Sequence, residues 1–314
     1  MLRRTFLSGL IALSTLAGLA SLPGCTSTME YRDVNVKRYA GPNFMIGREI
    51  NTGLFNLTVY ERMHERHAPA HVYIEGDGVA WTSRTRPSLN PTPIDPVGMR
   101  LASMDKAKNI AWMARPCQYS WWNGEGPCPN KYWTDQRYSA EVVEEMSAAL
   151  DEMKRRWDLT EFHLVGYSGG GTIAALLAVR RDDVASFRTV AGNLDHEVFT
   201  ALHEVTPMTG SLNPVEEADM LRFIPQHHFI GAEDEIIPPA IFHSYDQALQ
   251  PSNCVASTFI PDAGHQYGWQ DRWPELLKKP LGCTERLMPP TEPVFSPPPP
   301  EFMELRKGKS WGVR

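Results

Sequence analysis

The sequence predicts an α/β fold, with a mostly parallel central sheet of about eight strands and helices on both faces. Its 314 residues, 42% of them hydrophobic and 22% charged, are enough for a large buried core. From residue 39 to residue 284, short apolar runs alternate with helical patterns, as in doubly wound parallel sheets. Six runs indicate buried strands: HVYIE (71–75), KNIAWMA (108–114), FHLVG (162–166), FRTVA (187–191), HHFIG (227–231) and VASTFI (255–260).

The clearest helix is predicted over residues 139–157. Ser139 is a candidate N-cap, and acidic residues follow it in the early turns. Lys154, Arg155 and Arg156 lie near the end, where the helix dipole favours positive charge.

The first 24 residues have the pattern of an export signal and lie outside the predicted fold. Arg3 and Arg4 precede an apolar stretch over residues 5–22, and small residues follow it. RRTFL (3–7) also resembles the twin-arginine export signal. A marginal membrane helix is the alternative, but about 20 residues are needed to span a bilayer, and this run ends in Pro-Gly.

LPGC (22–25) resembles the lipobox of bacterial lipoproteins, in which the cysteine becomes the lipidated first residue. The resemblance implies a lipid on Cys25, an N-terminal tether over residues 25–38 and anchoring to a membrane. Because Thr26, and not an aspartate, follows the cysteine, it also implies sorting to the outer membrane, facing the periplasm.

The cysteine count fits an oxidising compartment. Of the five cysteines, four remain if Cys25 carries lipid, and four allow three pairings. We expect Cys117–Cys128 and Cys254–Cys283, because each pair closes a short loop that contains glycine and proline. A zinc site is the alternative, but no Cys-x-x-Cys or Cys/His pair has ligand spacing. No spacing implies a metal or an organic cofactor.

Residues 285–314 differ in composition from the rest of the chain. They are rich in proline and then basic, which indicates an extended tail and not core. The formal net charge of the chain is −6 and no basic stripe occurs, so a nucleic-acid partner is not expected.

The most informative stretch is FHLVGYSGGG (162–171), in which an apolar strand pattern runs directly into a helical one. In a strand–turn–helix of the form Gly-x-Ser-x-Gly, the serine hydroxyl projects from a strained turn above the sheet. Ser168 is therefore the candidate nucleophile, with Gly166 and Gly170 allowing strand and helix to pass closely. A plain glycine turn remains the alternative. A phosphate-binding loop is disfavoured, because no Gly-Lys-Ser/Thr follows.

A serine needs a base and an acid that orients the base, and both occur downstream. Asp234 follows the strand pattern HHFIG, and His265 follows VASTFI. With the order Ser168, Asp234, His265, the chain resembles the α/β-hydrolases over about residues 40–283. If the nucleophile follows the fifth strand, the resemblance implies that the acid follows the seventh and the histidine the eighth.

The assignment of the acid has alternatives. Glu233 and Glu235 flank Asp234, and either could orient the histidine. Asp195 follows the sixth strand pattern, where some members of the fold keep their acid.

The resemblance also implies an oxyanion hole built from backbone N–H groups. One donor is expected from Gly169, directly after the nucleophile. The second is expected from the loop IEGDGVAW (74–81), at Asp77 or else Gly78. In this family the loop often reads His-Gly-x, and here Glu75 stands in the place of the histidine. An acid near an oxyanion would oppose it unless it were paired or turned away.

Two segments are expected around the site. Residues 115–133 contain Trp121, Trp122 and Trp133, which either form an apolar substrate wall or pack their loop onto the body. Residues 194–222 follow the sixth strand, where this fold commonly inserts a lid. Their amphipathic start, with Val198, Leu202 and Val205, suits a short covering helix.

The functional hypothesis is a membrane-anchored serine hydrolase that cleaves a carboxylic ester, or an amide or thioester, through an acyl-enzyme. The substrate would be a small-molecule or lipid-like acyl compound, and we favour a small or polar ester. The alternative is a non-catalytic envelope lipoprotein that uses the same fold as a binding or scaffold module.

Overall fold

The computed structural model describes residues 28–120 and 128–287. Eight of the strands in these ranges form one sheet, and two form a small ribbon. The strands are β1 (Ile46–Asn51), β2 (Asn56–Met63), β3 (Ala70–Ile74), β4 (Trp81–Ser83), β5 (Arg86–Pro87), β6 (Asn109–Met113), β7 (Phe162–Tyr167), β8 (Val184–Val190), β9 (Gln226–Gly231) and β10 (Val255–Ile260).

The large sheet has the strand order β1-β2-β6-β3-β7-β8-β9-β10, and β4 pairs only with β5. Strands β3 and β6 to β10 are parallel and correspond to the six predicted runs, which confirms the predicted fold class. The sheet begins with β1 and β2, which are antiparallel and were not predicted. Most residues of β1 are exposed, so this strand lacks the continuous apolar run of a buried parallel strand.

The α-helices of the described residues are α1 (Thr28–Ala40), α2 (Val97–Met104), α3 (Ala140–Trp157), α4 (Gly169–Arg180), α5 (His196–Leu202), α6 (Ala218–Leu221), α7 (Pro239–Leu249) and α8 (Trp273–Leu276). The predicted helix over residues 139–157 is confirmed as α3. The Ser139 side chain accepts a hydrogen bond from the Val142 N–H at 3.3 Å, as expected of an N-cap.

The core lies on both faces of the sheet. On one face, buried residues of α3, α4 and α7 pack against β2, β3 and β7. On the other face, buried residues of α1, α2 and α8 pack against the large aromatic side chains Tyr73, Trp112 and Phe229. This three-layer packing holds the carboxyl ends of the parallel strands at one edge of the sheet, where polar side chains of different loops meet.

Residues 28–38, assigned above to a tether, lie in α1 and pack against the body. Val36 and Ala40 are buried, and the Arg32 side chain donates a hydrogen bond to the Asn90 carbonyl at 3.2 Å. Over the described ranges, no helix is both long enough and apolar enough to cross a bilayer. The predicted signal over residues 1–24, the lipidation site Cys25 and residues 288–314 of the tail lie outside the described residues.

The two expected cysteine pairs come together. Cys117 and Cys128 are bonded through their sulfur atoms, with their Cα atoms 6.1 Å apart. Cys254 and Cys283 are bonded in the same way, with Cα atoms 4.4 Å apart, and join the start of β10 to the chain that follows α8.

Candidate active site

Ser168 lies at the corner between β7 and α4. Its backbone has φ 52° and ψ −123°, a conformation that few non-glycine residues adopt. A Cβ atom at Gly166 would lie 2.3 Å from the Gly170 carbonyl oxygen, and one at Gly170 would lie 2.3 Å from the Ile74 carbonyl oxygen. The helix α4 can therefore approach β7 and the neighbouring strand β3 this closely only because both positions are glycine, and Ser168 at the tight turn lines a cavity.

The structure brings Ser168, His265 and Asp234 into one hydrogen-bonded chain. The Ser168 Oγ lies 3.1 Å from the His265 Nε2, and the His265 Nδ1 lies 2.9 Å from the Asp234 Oδ2. The other carboxylate oxygen of Asp234 accepts the N–H groups of Ile236 and Ile237 at 2.9 and 2.8 Å. An ionised Asp234 thus holds the histidine with Nδ1 protonated and leaves Nε2 free to accept the serine proton.

The alternative acids lie elsewhere. Glu233 accepts a hydrogen bond from the Tyr267 hydroxyl at 2.9 Å, and Glu235 is exposed. Asp195 caps α5 by accepting backbone N–H groups of that helix at 3.1 and 3.2 Å. Of the four acids considered, only Asp234 contacts His265.

The expected oxyanion donors lie side by side. A Cβ atom at Gly169 would be 2.1 Å from the Asp77 carboxylate, so the loop after β3 contacts the start of α4. Within the described ranges, the backbone N–H groups of Gly169, Asp77 and Gly78 have no protein acceptor. Gly78 has φ 66°, a left-handed conformation that turns the loop. Free N–H groups beside a serine hydroxyl are suited to binding a developing oxyanion.

Glu75 is turned away from this hole. Its carboxylate accepts the Trp112 indole N–H at 3.0 Å and the N–H groups of Gly76, Gly98 and Met99 at 2.9, 3.2 and 3.3 Å. Burial raises the pKa of Glu75, although these donors counteract the effect. The carboxylate thus joins the oxyanion loop to the first turn of α2, where the helix dipole favours a negative charge.

Asp77 is paired with two arginines. Its two carboxylate oxygens accept Arg115 at 3.1 Å and Arg137 at 3.0 Å, and the Tyr138 hydroxyl donates to it at 2.6 Å. Burial would raise the pKa of Asp77, but the two guanidinium groups outweigh it and lower the pKa. These partners were not predicted from the sequence. Arg115 carries a usable signal because it follows the strand pattern ending at residue 114, whereas Arg137 carries none.

A cavity of about 470 Å³ opens beside Ser168 and His265. Its apolar lining includes Trp81, Phe199 and Ile237. A second cavity of about 580 Å³ shares Trp81, Phe199 and Arg137 with the first, so the two lie side by side, and together they are called the cleft. Phe199 belongs to α5, at the start of the predicted lid segment.

Of the two alternatives for the tryptophans, Trp133 shows the second, packing, and does not form a substrate wall. This side chain is only 5% exposed and donates its indole N–H to the Ser88 carbonyl at 3.1 Å, so it packs its loop onto the body. Trp121 and Trp122 lie outside the described residues. The aromatic lining comes instead from Trp81 and Phe199, whose positions in the cleft depend on tertiary contacts.

In the part of the chain that the structure covers, no cluster of three or more His, Cys, Asp or Glu side chains could hold a metal ion. No protein-family profile matches the sequence, and no curated protein is similar to it in sequence.

Solved structures do resemble the chain. An esterase of Pyrococcus furiosus superposes with a TM-score of 0.52 at 11% identity, over 76% of this chain and 91% of the esterase. Est1E from Butyrivibrio proteoclasticus gives 0.52 at 14% identity, over 74% and 97% of the two chains. An acylaminoacyl peptidase in complex with a chloromethyl ketone gives 0.56 at 14% identity, over 78% of this chain and 43% of the peptidase.

At these identities the likeness shows the fold. Ser168 follows the fifth strand of the large sheet, and Asp234 and His265 follow its seventh and eighth strands, as expected from the sequence. The chain has the α/β-hydrolase fold.

Proposed function

We propose that the protein is a serine hydrolase that cleaves a carboxylic ester, or an amide or thioester, through an acyl-enzyme. The observation that carries the proposal is the chain of hydrogen bonds from Ser168 through His265 to Asp234, at 3.1 and 2.9 Å. The esterases and the peptidase among the solved structures of the same fold support hydrolysis of an acyl bond.

In the proposed mechanism, His265 removes the Ser168 proton while the serine oxygen attacks the substrate carbonyl carbon. The carbonyl oxygen becomes an oxyanion that binds the N–H groups of Gly169 and Asp77, with Gly78 as the alternative second donor. The protonated His265 then donates its proton to the leaving group, and Asp234 stabilises the imidazolium. A water molecule, deprotonated by His265, releases the acyl group by the same steps in reverse order.

The alternative, a binding module without catalysis, has less support. A scaffold has no need for a serine, a histidine and an aspartate in hydrogen-bonding order, or for a strained backbone at Ser168. We favour a small or polar ester, because the cavity beside Ser168 is lined by charged as well as apolar side chains.

The direct test is labelling of the purified protein with a fluorophosphonate probe, beside the Ser168→Ala and His265→Ala variants. We expect labelling of the wild type and none of either variant, because the probe needs an activated serine. Circular dichroism confirms that each variant is folded. A folded wild-type protein that does not label would contradict the proposal and favour the binding module.

We also propose that the protein is exported and held by lipid on Cys25 at the bacterial outer membrane, facing the periplasm. The lipobox-like sequence and two cysteine pairs suited to an oxidising compartment support this location. Only two residues separate Cys25 from α1, so the folded body would lie close to the membrane surface. Cys25→Ser should move the protein from the membrane fraction to the soluble fraction, and an unchanged distribution would contradict the anchor.

A further inference from the structure

The wall of the cleft behind Asp77 has more positive than negative charge. Arg115 and Arg137 share the single carboxylate of Asp77, at 3.1 and 3.0 Å. Their side chains are only 4% and 10% exposed, so bulk water screens their charges poorly. Two guanidinium groups against one carboxylate leave an excess of one positive charge, and such an excess is costly in a buried place unless an anion matches it.

Of the two arginines, Arg137 is the one that lines the cleft, together with Asp77. Its Nε donates to the Thr134 carbonyl at 2.7 Å, and its Nη1 donates to Asp77. Its Nη2 has no acceptor among the described residues, and it is not among the sealed polar atoms without a partner. Arg137 lines both the cavity beside Ser168 and the adjoining cavity. This guanidinium therefore lines a space that a ligand can enter and has one donor nitrogen left for it.

The other acids of the first cavity already have partners. Glu75 accepts hydrogen bonds from four N–H donors, and Asp95 pairs with Arg100 at 2.9 Å. The second cavity is lined by one further acid, Asp135, and one further base, Arg84, so these two residues add no net charge. The local excess of positive charge beside Asp77 thus lies at Arg137, which lines both cavities.

We propose that Arg137 determines substrate specificity by binding a carboxylate on the acyl part of the substrate, so that the preferred substrate is a monoester of a dicarboxylic acid. This inference rests on the proposed serine-hydrolase function. A single unmatched positive charge suits a monoanionic carboxylate better than a dianionic phosphate. Hydrogen bonds between a guanidinium and a carboxylate are charge-assisted and strong.

The positions of the other groups indicate that the bound carboxylate belongs to the acyl part of the substrate and not to the leaving group. The leaving group must face His265, which gives it a proton, whereas Arg137 is bound to the loop that supplies the second oxyanion donor. A carboxylate a few bonds from the reacting carbonyl would reach Arg137 while the carbonyl oxygen occupies the oxyanion hole. The apolar side chains of Trp81 and Phe199 line both cavities. They would contact the methylene groups between the carboxylate and the reacting carbonyl of the substrate.

The test compares matched substrates. The anionic substrates are the mono-para-nitrophenyl esters of adipic and suberic acid, and the neutral counterparts carry a methyl ester in place of the free carboxylate. The specificity constants kcat/KM are measured for the wild type, Arg137→Gln and Arg137→Lys. Tyr138→Phe is the matched control, because it removes a hydrogen bond to Asp77 at 2.6 Å but leaves Arg137 in place.

We expect the wild type to prefer the anionic ester of at least one length. Arg137→Gln should lower the ratio of anionic to neutral kcat/KM by about 10- to 100-fold, mainly through KM, because it removes a charge-assisted hydrogen bond made in the ground state and in the transition state. Arg137→Lys should retain part of the preference. Tyr138→Phe should change both substrates alike and leave the ratio within about threefold of the wild-type value.

Fluorophosphonate labelling of each variant separates the possible failures. If the wild type and Arg137→Gln both label and hydrolyse the neutral ester but have the same ratio, the inference is wrong and the hydrolase stands. If Tyr138→Phe lowers the ratio as much as Arg137→Gln does, Arg137 acts by holding Asp77, and the inference is again wrong. If the folded wild type neither labels nor hydrolyses any ester, the proposed function fails and this inference fails with it.

Discussion

Three carboxylates lie around Ser168, and their hydrogen bonds give each a different role. Glu75 accepts only N–H groups and joins the oxyanion loop to α2. Asp77 pairs with two arginines, which match its negative charge beside the oxyanion hole. Asp234 accepts two backbone N–H groups and His265. An acid near a developing oxyanion is tolerated when its charge is matched locally.

The role of Asp234 can be tested by changing its charge but not its shape. Asp234→Asn should lower kcat by about 10³–10⁴-fold, because the amide no longer favours the Nδ1-protonated tautomer or stabilises the imidazolium. The matched control is Glu235→Gln, which removes a negative charge from the next residue in the chain, whose side chain is exposed. Steady-state kinetics on a neutral para-nitrophenyl ester measures both. Equal losses in the two variants would mean that the charge of this loop matters, and not the contact with His265.

At the corner between β7 and α4, both the stability of the protein and the position of Ser168 depend on close packing of the strand against the helix. Gly166→Ala would place a methyl group 2.3 Å from the Gly170 carbonyl oxygen, so strand and helix would have to separate. Such overpacking should lower the free energy of unfolding by about 1–3 kcal/mol. It should also reduce fluorophosphonate labelling, because Ser168 moves with the turn.

The matched control for this change is Gly41→Ala, since no atom lies within 4 Å of the added Cβ there. Its free energy of unfolding should stay within about 0.5 kcal/mol of the wild-type value. Urea denaturation followed by circular dichroism measures both variants. A Gly166→Ala protein as stable as Gly41→Ala would show that the corner can relax.

The stability of the whole molecule should depend on pH through its buried histidines. His228 contacts the Thr189 hydroxyl at 2.8 Å and the Gln226 side-chain oxygen at 2.9 Å, and burial lowers its pKa to about 3. In the unfolded chain its pKa is near 6.5. Below that pH the unfolded state binds more protons than the folded state, so stability is lost as the pH falls from about 6.5 towards 3. Burial likewise lowers the pKa of His163, to about 4.

One such histidine contributes a slope of about 1.4 kcal/mol per pH unit below pH 6. We therefore expect His228→Gln to reduce the loss of unfolding free energy between pH 7.5 and pH 5, measured by urea denaturation at each pH. His64 is exposed, so His64→Gln should keep the wild-type dependence. If both variants keep the wild-type pH dependence of the unfolding free energy, groups other than His228 control the acid sensitivity.

The sequence by itself determined the six parallel strands, the helix α3 and the order of the candidate nucleophile, acid and base. These features are local: a buried parallel strand is a continuous apolar run, and a strand–helix corner needs its glycines at a fixed spacing. In this fold, residues that follow the ends of parallel strands meet at one edge of the sheet. Ser168, Asp234 and His265 could therefore be placed together before any contact was known.

Only the tertiary structure decided how the acids beside the oxyanion hole are paired and what lines the cleft. Arg137 is 60 residues from Asp77 in the chain, and the Trp112 indole is 37 residues from Glu75. Trp133 is buried in the core and Trp81 lines the cavity, although both are large aromatic residues near the site. Which side chain faces core and which faces a ligand depends on contacts between distant segments, and spacing along one chain does not encode those contacts.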